Sequence, residues 1–189
     1  MLGIYTCVLT AILLATGAPA ISSDADYLRA LAGHYPWEGA TQGDLSFFEV
    51  PTVAATLKKI LPPSALLKIT AELTTGTPNR IVDGYLLVSA CKPHDCPSQN
   101  YIAVTNLRNA FVTVVIYDAS LGSDDRSSTH CFSEGGDLRM LPNSVIEEIL
   151  ESFLARTRKD QRLYDTNQWI DTLRCGDGSN KSLERTRER

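Results

Sequence analysis

A chain of 189 residues with 43% hydrophobic and 21% charged side chains holds enough apolar material for one well-buried domain and gives no reason to invoke two. Formal net charge is −4 at pH 7, and residues 180–189 carry four basic and two acidic side chains, so the body without them stands at −6. That balance argues against a nucleic-acid partner and favours cationic ones, through encounter rate and solubility.

In chain order, residues 7–15 (CVLTAILLA) are apolar and uncharged, and Ala18-Pro19-Ala20 has the small-x-small pattern of a signal-peptidase site. The run is shorter than the roughly 20 residues a membrane span needs, so residues 1–20 read as a signal peptide cleaved near Ala20, with no membrane attachment afterwards. No Lys or Arg precedes the apolar run, which departs from the usual export pattern. Residues 21–179 then form a single domain and 180–189 a solvated, disordered tail.

Residues 24–33 (DADYLRALAG) read as a short helix with an acidic start and Gly33 at its end. Tyr35 and Trp37, around Pro36, are read as anchoring a loop on the core. A second helix fits 52–61, with Val53, Ala54, Leu57, Ile60 and Leu61 on one face and Pro62-Pro63 ending it. The middle third is β-rich: 81–90 (IVDGYLLVSA), 101–107 (YIAVTNL) and, after a tight turn at Arg108-Asn109, 110–118 (AFVTVVIYD). Short connections make these an antiparallel meander.

Residues 119–137, rich in Ser, Gly and Asp, read as a loop. Ser144 to Glu147 has the spacing of a capping box, and Val145, Ile146, Ile149, Leu150, Phe153 and Leu154 make an apolar stripe over 144–155. A weaker helical stretch falls at 160–174. Helices before and after a strand cluster give the α+β class, an antiparallel β-sheet flanked by helices.

Removing Cys7 with the signal leaves Cys91, Cys96, Cys131 and Cys175, and an even count in an oxidising compartment favours disulfides. Four cysteines allow three connectivities. Pairing neighbours, Cys91 with Cys96 and Cys131 with Cys175, is preferred, the second pairing on weaker grounds. The first would close Cys91-Lys92-Pro93-His94-Asp95-Cys96 into a six-residue ring at the tip of a β-hairpin. Such a ring holds the His94 imidazole in nearly one geometry, which suits a projecting key better than a pocket. Pro93 fixes one φ angle before it, and Asp95 is a residue that accepts backbone N–H groups in tight turns. Lys92 reads equally as a rim contact or a solvated charge.

Residue for residue, Cys91 to Cys96 resembles the inhibitory loop of the Ivy family, the periplasmic inhibitors of vertebrate (C-type) lysozyme. Val88-Ser89-Ala90 leads in, and Ser98-Gln99 with Ile102-Ala103-Val104 leads out, as in that family. The resemblance covers 45–118, and Cys131, Cys175 and the helix near 144–155 are departures from its pattern. It implies a noncatalytic, periplasmic protein inhibitor whose ring protrudes from the sheet into the lysozyme cleft. There His94 would meet the enzyme's catalytic carboxylates, with Lys92, Pro93 and Asp95 as the rest of the binding loop. Lysozyme chemistry fits this, since it rests on two carboxyl groups and an imidazolium can donate charge-assisted hydrogen bonds to both. The partner is then a C-type lysozyme, with no cofactor and no metal. Some members of the family pair, so a homodimer stays open.

Rival readings keep the ring and change its use. It could merely staple a hairpin, or it could restrain the cell's own peptidoglycan-cleaving enzymes. A metal or thiol-redox protein using Cys91, His94 and Cys96 is another class, but structural zinc wants four ligands, so His130 or Cys131 would have to complete the set, and the C-x-x-C spacing of oxidoreductases is absent. A hydrolase lacks a nucleophile signature, and His34 and His130 read as ordinary surface or capping residues.

Overall fold

The computed structural model describes residues 24–119, 129–136, 138–157 and 175–176, with side chains of 152–157 left aside. The segments expected as an export signal (1–20), a helical stretch (160–174) and a tail (180–189) lie outside the described residues, as do the side chains of Phe153 and Leu154.

Helix α1 (Asp24–Ala30) opens with Asp24 and Asp26 and closes with Arg29, charges that match the two ends of its dipole. Gly33 follows at φ +86°. A 3-10 turn at Phe47–Glu49 precedes α2 (Pro51–Ile60). There the Glu49 carboxylate accepts the Ser46 N–H at 2.8 Å and its hydroxyl at 2.7 Å. Those bonds hold the Glu49 carboxyl below its usual range.

Helix α2 starts on a proline, whose missing N–H costs nothing at a first helical position. Val53, Leu57 and Ile60 are buried, each worth about 1.5–3 kcal/mol. Leu61 turns extended because Pro62 follows, and Pro63 starts the short α3 (Pro63–Leu67). A π-helical turn, Lys68–Glu72, continues it.

Strands β1 (Thr75–Gly76), β2 (Arg80–Val82), β3 (Tyr85–Cys91), β4 (Gln99–Asn106), β5 (Val112–Asp118), β6 (Thr129–Ser133) and β7 (Cys175–Gly176) form one sheet. Its order is β1-β3-β4-β5-β6-β7, with β2 also pairing β3. All pairs are antiparallel except β6–β7, which is parallel. The α+β class and the meander of β3, β4 and β5 are as the sequence leads one to expect.

Both faces of this sheet are covered, and for that reason β3, β4 and β5 read as nearly unbroken apolar runs. On one face Leu86, Val88, Tyr101, Ala103, Val114 and Ile116 pack with α1 and α2. On the other Leu87, Ile102, Val104 and Val115 pack with Val145 and Ile149 of α4 (Asn143–Thr157).

Four local readings are corrected. The expected strand 81–90 is two strands joined at Asp83 (φ +46°) and Gly84 (φ +78°), the paired positive φ angles of a type I′ hairpin turn. The expected strand 110–118 begins at Val112, because Ala110 at φ +57° still belongs to a turn in which the side chains of Asn106 and Asn109 accept backbone N–H groups. The expected loop 119–137 contains β6, and a 3-10 turn over Leu138–Met140 follows. Finally, Ser144 does not form the capping box: α4 starts at Asn143, Pro142 O accepts the N–H groups of Val145 and Ile146, and the Ser144 hydroxyl donates to Asp83.

Candidate functional site

Strands β3 and β4 run in register from Tyr85 opposite Asn106 to Cys91 opposite Asn100. Lys92 N–H donates to Gln99 O at 3.0 Å, carrying the ladder one residue past the strand. The chain then folds back on itself. Asp95 N–H donates to Lys92 O at 3.0 Å, closing a four-residue turn with Pro93 and His94 at its centre. His94 sits at φ +64°, and a proline followed by a positive φ defines a type II turn, whose third position normally takes Gly or Asn. An L-residue held there carries backbone strain on the order of 1 kcal/mol or more, and such strain clusters at functional positions.

Below this turn the chain is tied at several points. Asp95 O accepts the N–H groups of Ser98 and Gln99, each at 3.1 Å, and Asn100 Nδ2 donates to Cys96 O at 3.0 Å. It is thus the carbonyl of Asp95, and not its carboxylate as the sequence suggests, that takes up backbone donors. Ala119 N–H donates to Ser98 O at 2.9 Å, so the end of β5 props the descending limb. A Cys91–Cys96 disulfide closes the ring with 4.8 Å between Cα atoms. Cys91 is buried in the sheet, Asp95 and Cys96 are half-buried, and Lys92, Pro93 and His94 are exposed. His94 therefore stands at the apex of a closed loop whose foot is anchored in the core.

The foot has a charged prop. Asp118, opposite Gln99 in the register, is wholly buried and forms an ion pair with Lys68 from the π-helical turn. On β6, His130 lies opposite Ile116, two register positions from Asp118. Burial pushes the His130 imidazole below its usual range, while the Asp118 carboxylate pulls it the other way. Neither residue of the Lys68–Asp118 pair is singled out by the sequence, because nothing local to Lys68 announces a partner fifty residues on.

The other candidates fall elsewhere. Cys131 joins Cys175 across the parallel β6–β7 pair, on the sheet face that α4 covers. With all four sulfurs in disulfides, the ring cysteines and Cys131 offer no thiolate set to a metal. His34 does act at a chain junction: its N–H donates to Leu31 O and its carbonyl accepts Asn79 N–H. The aromatic loop reverses expectation, since Pro36 is buried whereas Tyr35 and Trp37 stay 38% and 43% exposed and stack on each other.

No helix among the described residues is long and apolar enough to cross a membrane. No curated protein and no solved structure matches the chain. Residues 52–126, the span from α2 past β5 that carries the ring, match the family model described as inhibitor of vertebrate lysozyme (Ivy).

Proposed function

From the Ivy match over the ring-bearing strands, we propose that this chain is an exported, noncatalytic protein inhibitor of C-type lysozyme that inserts the Cys91–Cys96 ring into the enzyme's cleft. The observation that carries the reading is the exposed His94 imidazole, held at a positive φ at the apex of a disulfide-closed turn. A pocket residue gains nothing from that placement. A residue meant to reach into another protein's cavity gains a fixed direction and avoids most of the ordering cost of binding.

Mechanistically, the imidazolium has two N–H donors on opposite sides of a flat ring, a shape suited to standing between two carboxyl groups. In a lysozyme cleft such bonds would engage the proton donor and its partner carboxylate together, and the ring itself would exclude the glycan. Lys92 and Pro93 are the exposed flanks of the turn and would meet the cleft walls, whereas Asp95, half-buried, shapes the loop through its backbone. The chain's net charge of −4 speeds encounter with a cationic enzyme. Export with cleavage near Ala20 places the inhibitor, as a single domain over 21–179, where lysozyme acts.

The test is a titration of C-type lysozyme activity against the mature protein and its His94→Ala variant. Stoichiometric loss of activity with the native protein, and at least a hundredfold weaker inhibition by the variant at unchanged thermal stability, is the expected result. Equal inhibition by both proteins would overturn the loop-insertion mechanism, and no inhibition by either would overturn the function.

A further inference from the structure

The ring exposes only Lys92, Pro93 and His94, whereas a stable protein–protein interface uses roughly 20–30 residues and about 800 Å² on each side. An inhibitor built on this ring needs contact surface beside it. Among the described residues the exposed large apolar side chains are unevenly placed. Ile81, Phe111 and Met140 lie toward the far end of the sheet, by the β2–β3 and β4–β5 turns and ahead of the α4 start that meets Asp83. Leu45 lies in the loop before the 3-10 turn, and Leu67 is a single aliphatic side chain next to Lys68, whose partner Asp118 faces Gln99. Tyr35 and Trp37 lie at the ring end.

Their position follows from Pro36 between them. Its Cδ stands 3.4 Å from where a Cβ on Gly76 would be, and Gly76 pairs with Ala90 just as Thr75 pairs with Cys91. With strands about 4.8 Å apart and about 3.3 Å per residue, Pro36 falls about 10 Å from the foot of the ring. One interface footprint spans both.

The loop is also stiff. Glu38 N–H donates to Tyr35 O at 2.9 Å, and Tyr35 N–H donates to Glu38 Oε2 at 3.2 Å. The buried Asn79 ties the segment down through Gly33, His34 and Leu31. The two rings stack with centroids 5.6 Å apart and planes 14° apart, so little freedom is left for a partner to remove. Rigid, exposed aromatic side chains are the residues that anchor interfaces, and a ring face beside an exposed carboxylate, here Glu38, suits a basic side chain.

We propose that the stacked Tyr35–Trp37 pair is a second anchor of the inhibitory surface, seated on a basic side chain at the rim of the same cationic lysozyme whose cleft receives the ring. This rests on the reading of the ring as an inhibitor. It assigns the two contacts different tasks: His94 blocks catalysis, and the aromatic pair lengthens residence.

The chain holds two tryptophans, Trp37 and Trp169, so 5-fluorotryptophan labelling gives two fluorine resonances, and Trp37→Phe assigns them. Adding a C-type lysozyme should shift the Trp37 signal. By calorimetry, Trp37→Ala should weaken binding about 10- to 100-fold while saturating amounts still inhibit fully. Trp37→Phe should keep most of the affinity and Met140→Ala all of it. A Trp37 signal unmoved by lysozyme, or affinity of Trp37→Ala within twofold of native, overturns the proposal. So does a signal moved by soluble peptidoglycan fragments and not by lysozyme. If native protein inhibits and His94→Ala does not, while Trp37 is indifferent, only the second anchor falls. If native protein fails to inhibit, the ring reading falls with it.

Discussion

Lys68 and Asp118 form an ion pair in which the carboxylate is wholly buried and the ammonium end reaches it from a π-helical turn, fifty residues earlier in the chain. The pair sits one register position from the descending limb of the ring, since Asp118 faces Gln99. A buried charge is expensive to leave without its counter-charge, and breaking such a pair from one side costs about 3–5 kcal/mol. Lys68→Met should therefore destabilise the protein by an amount of that order, read as a shift in the denaturant midpoint. Lys68→Met with Asp118→Leu should recover much of the loss. Equal destabilisation by the single and double variants would show that the pair does not hold the end of the sheet.

His94→Gly separates strain from function. Glycine adopts φ near +64° without a Cβ penalty, so the substitution should leave stability within about 1 kcal/mol of native, with a gain as the expected sign. Inhibition should be lost all the same, because the imidazole is gone. A clear loss of stability in thermal melts would mean that the His94 side chain supports the fold.

The two disulfides should behave oppositely. Cys91–Cys96 closes a sequence separation of 5 and Cys131–Cys175 one of 44. On chain entropy alone these are worth about 2 and about 4 kcal/mol. Replacing Cys91 and Cys96 together by Ser should cost less stability yet most of the lysozyme affinity. Replacing Cys131 and Cys175 should cost more stability and leave the affinity of the folded protein unchanged. Melting curves and calorimetry on the two double variants check both halves.

The His130 imidazole gives a pH dependence with a definite sign. Its folded pKa is lowered by burial, so below the ordinary histidine value of about 6.5 the unfolded chain binds the proton more readily than the native one. Stability should then fall as pH drops through that value, and the loss should level off below the folded pKa. One group supplies at most about 1.4 kcal/mol per pH unit. Denaturant midpoints at pH 7.5, 6.5 and 5.5 should decline in the native protein and be flatter in His130→Leu. Parallel slopes would assign the effect to other groups.

Much of the site is legible in the sequence because its chemistry is local. The cysteine spacing, Pro93 and the flanking apolar runs all lie within residues 81–107, and together they specify a closed hairpin tip. The backbone conformation of His94 is not legible: a positive φ after proline usually calls for Gly, and only the fold shows that His occupies the position. The Asp83-Gly84 turn, by contrast, carries a hairpin signal that is submerged in a continuous β-prone run. Strand β6 does not follow from its own composition. Thr129–Ser133 is short and follows a Ser- and Asp-rich stretch, and it becomes a strand through pairing with β5 and the bond from Cys131 to Cys175. Ser144 shows the converse. Its spacing to Glu147 fits a cap, but a long-range acceptor at Asp83 takes the hydroxyl first.

The ring grows from two strands that each have neighbours on both sides. β3 is flanked by β1 and β2 on one edge and β4 on the other, and β4 by β3 and β5. On the proposed function, an enzyme leaving the ring would pull on it roughly along the strand axes. That force loads the outer ladders in shear, so the seven β4–β5 register pairs resist together instead of parting one by one as they would if unzipped. Under mechanical load the contact surface should yield before the hairpin frays, and the inhibitor should come away ready to bind again.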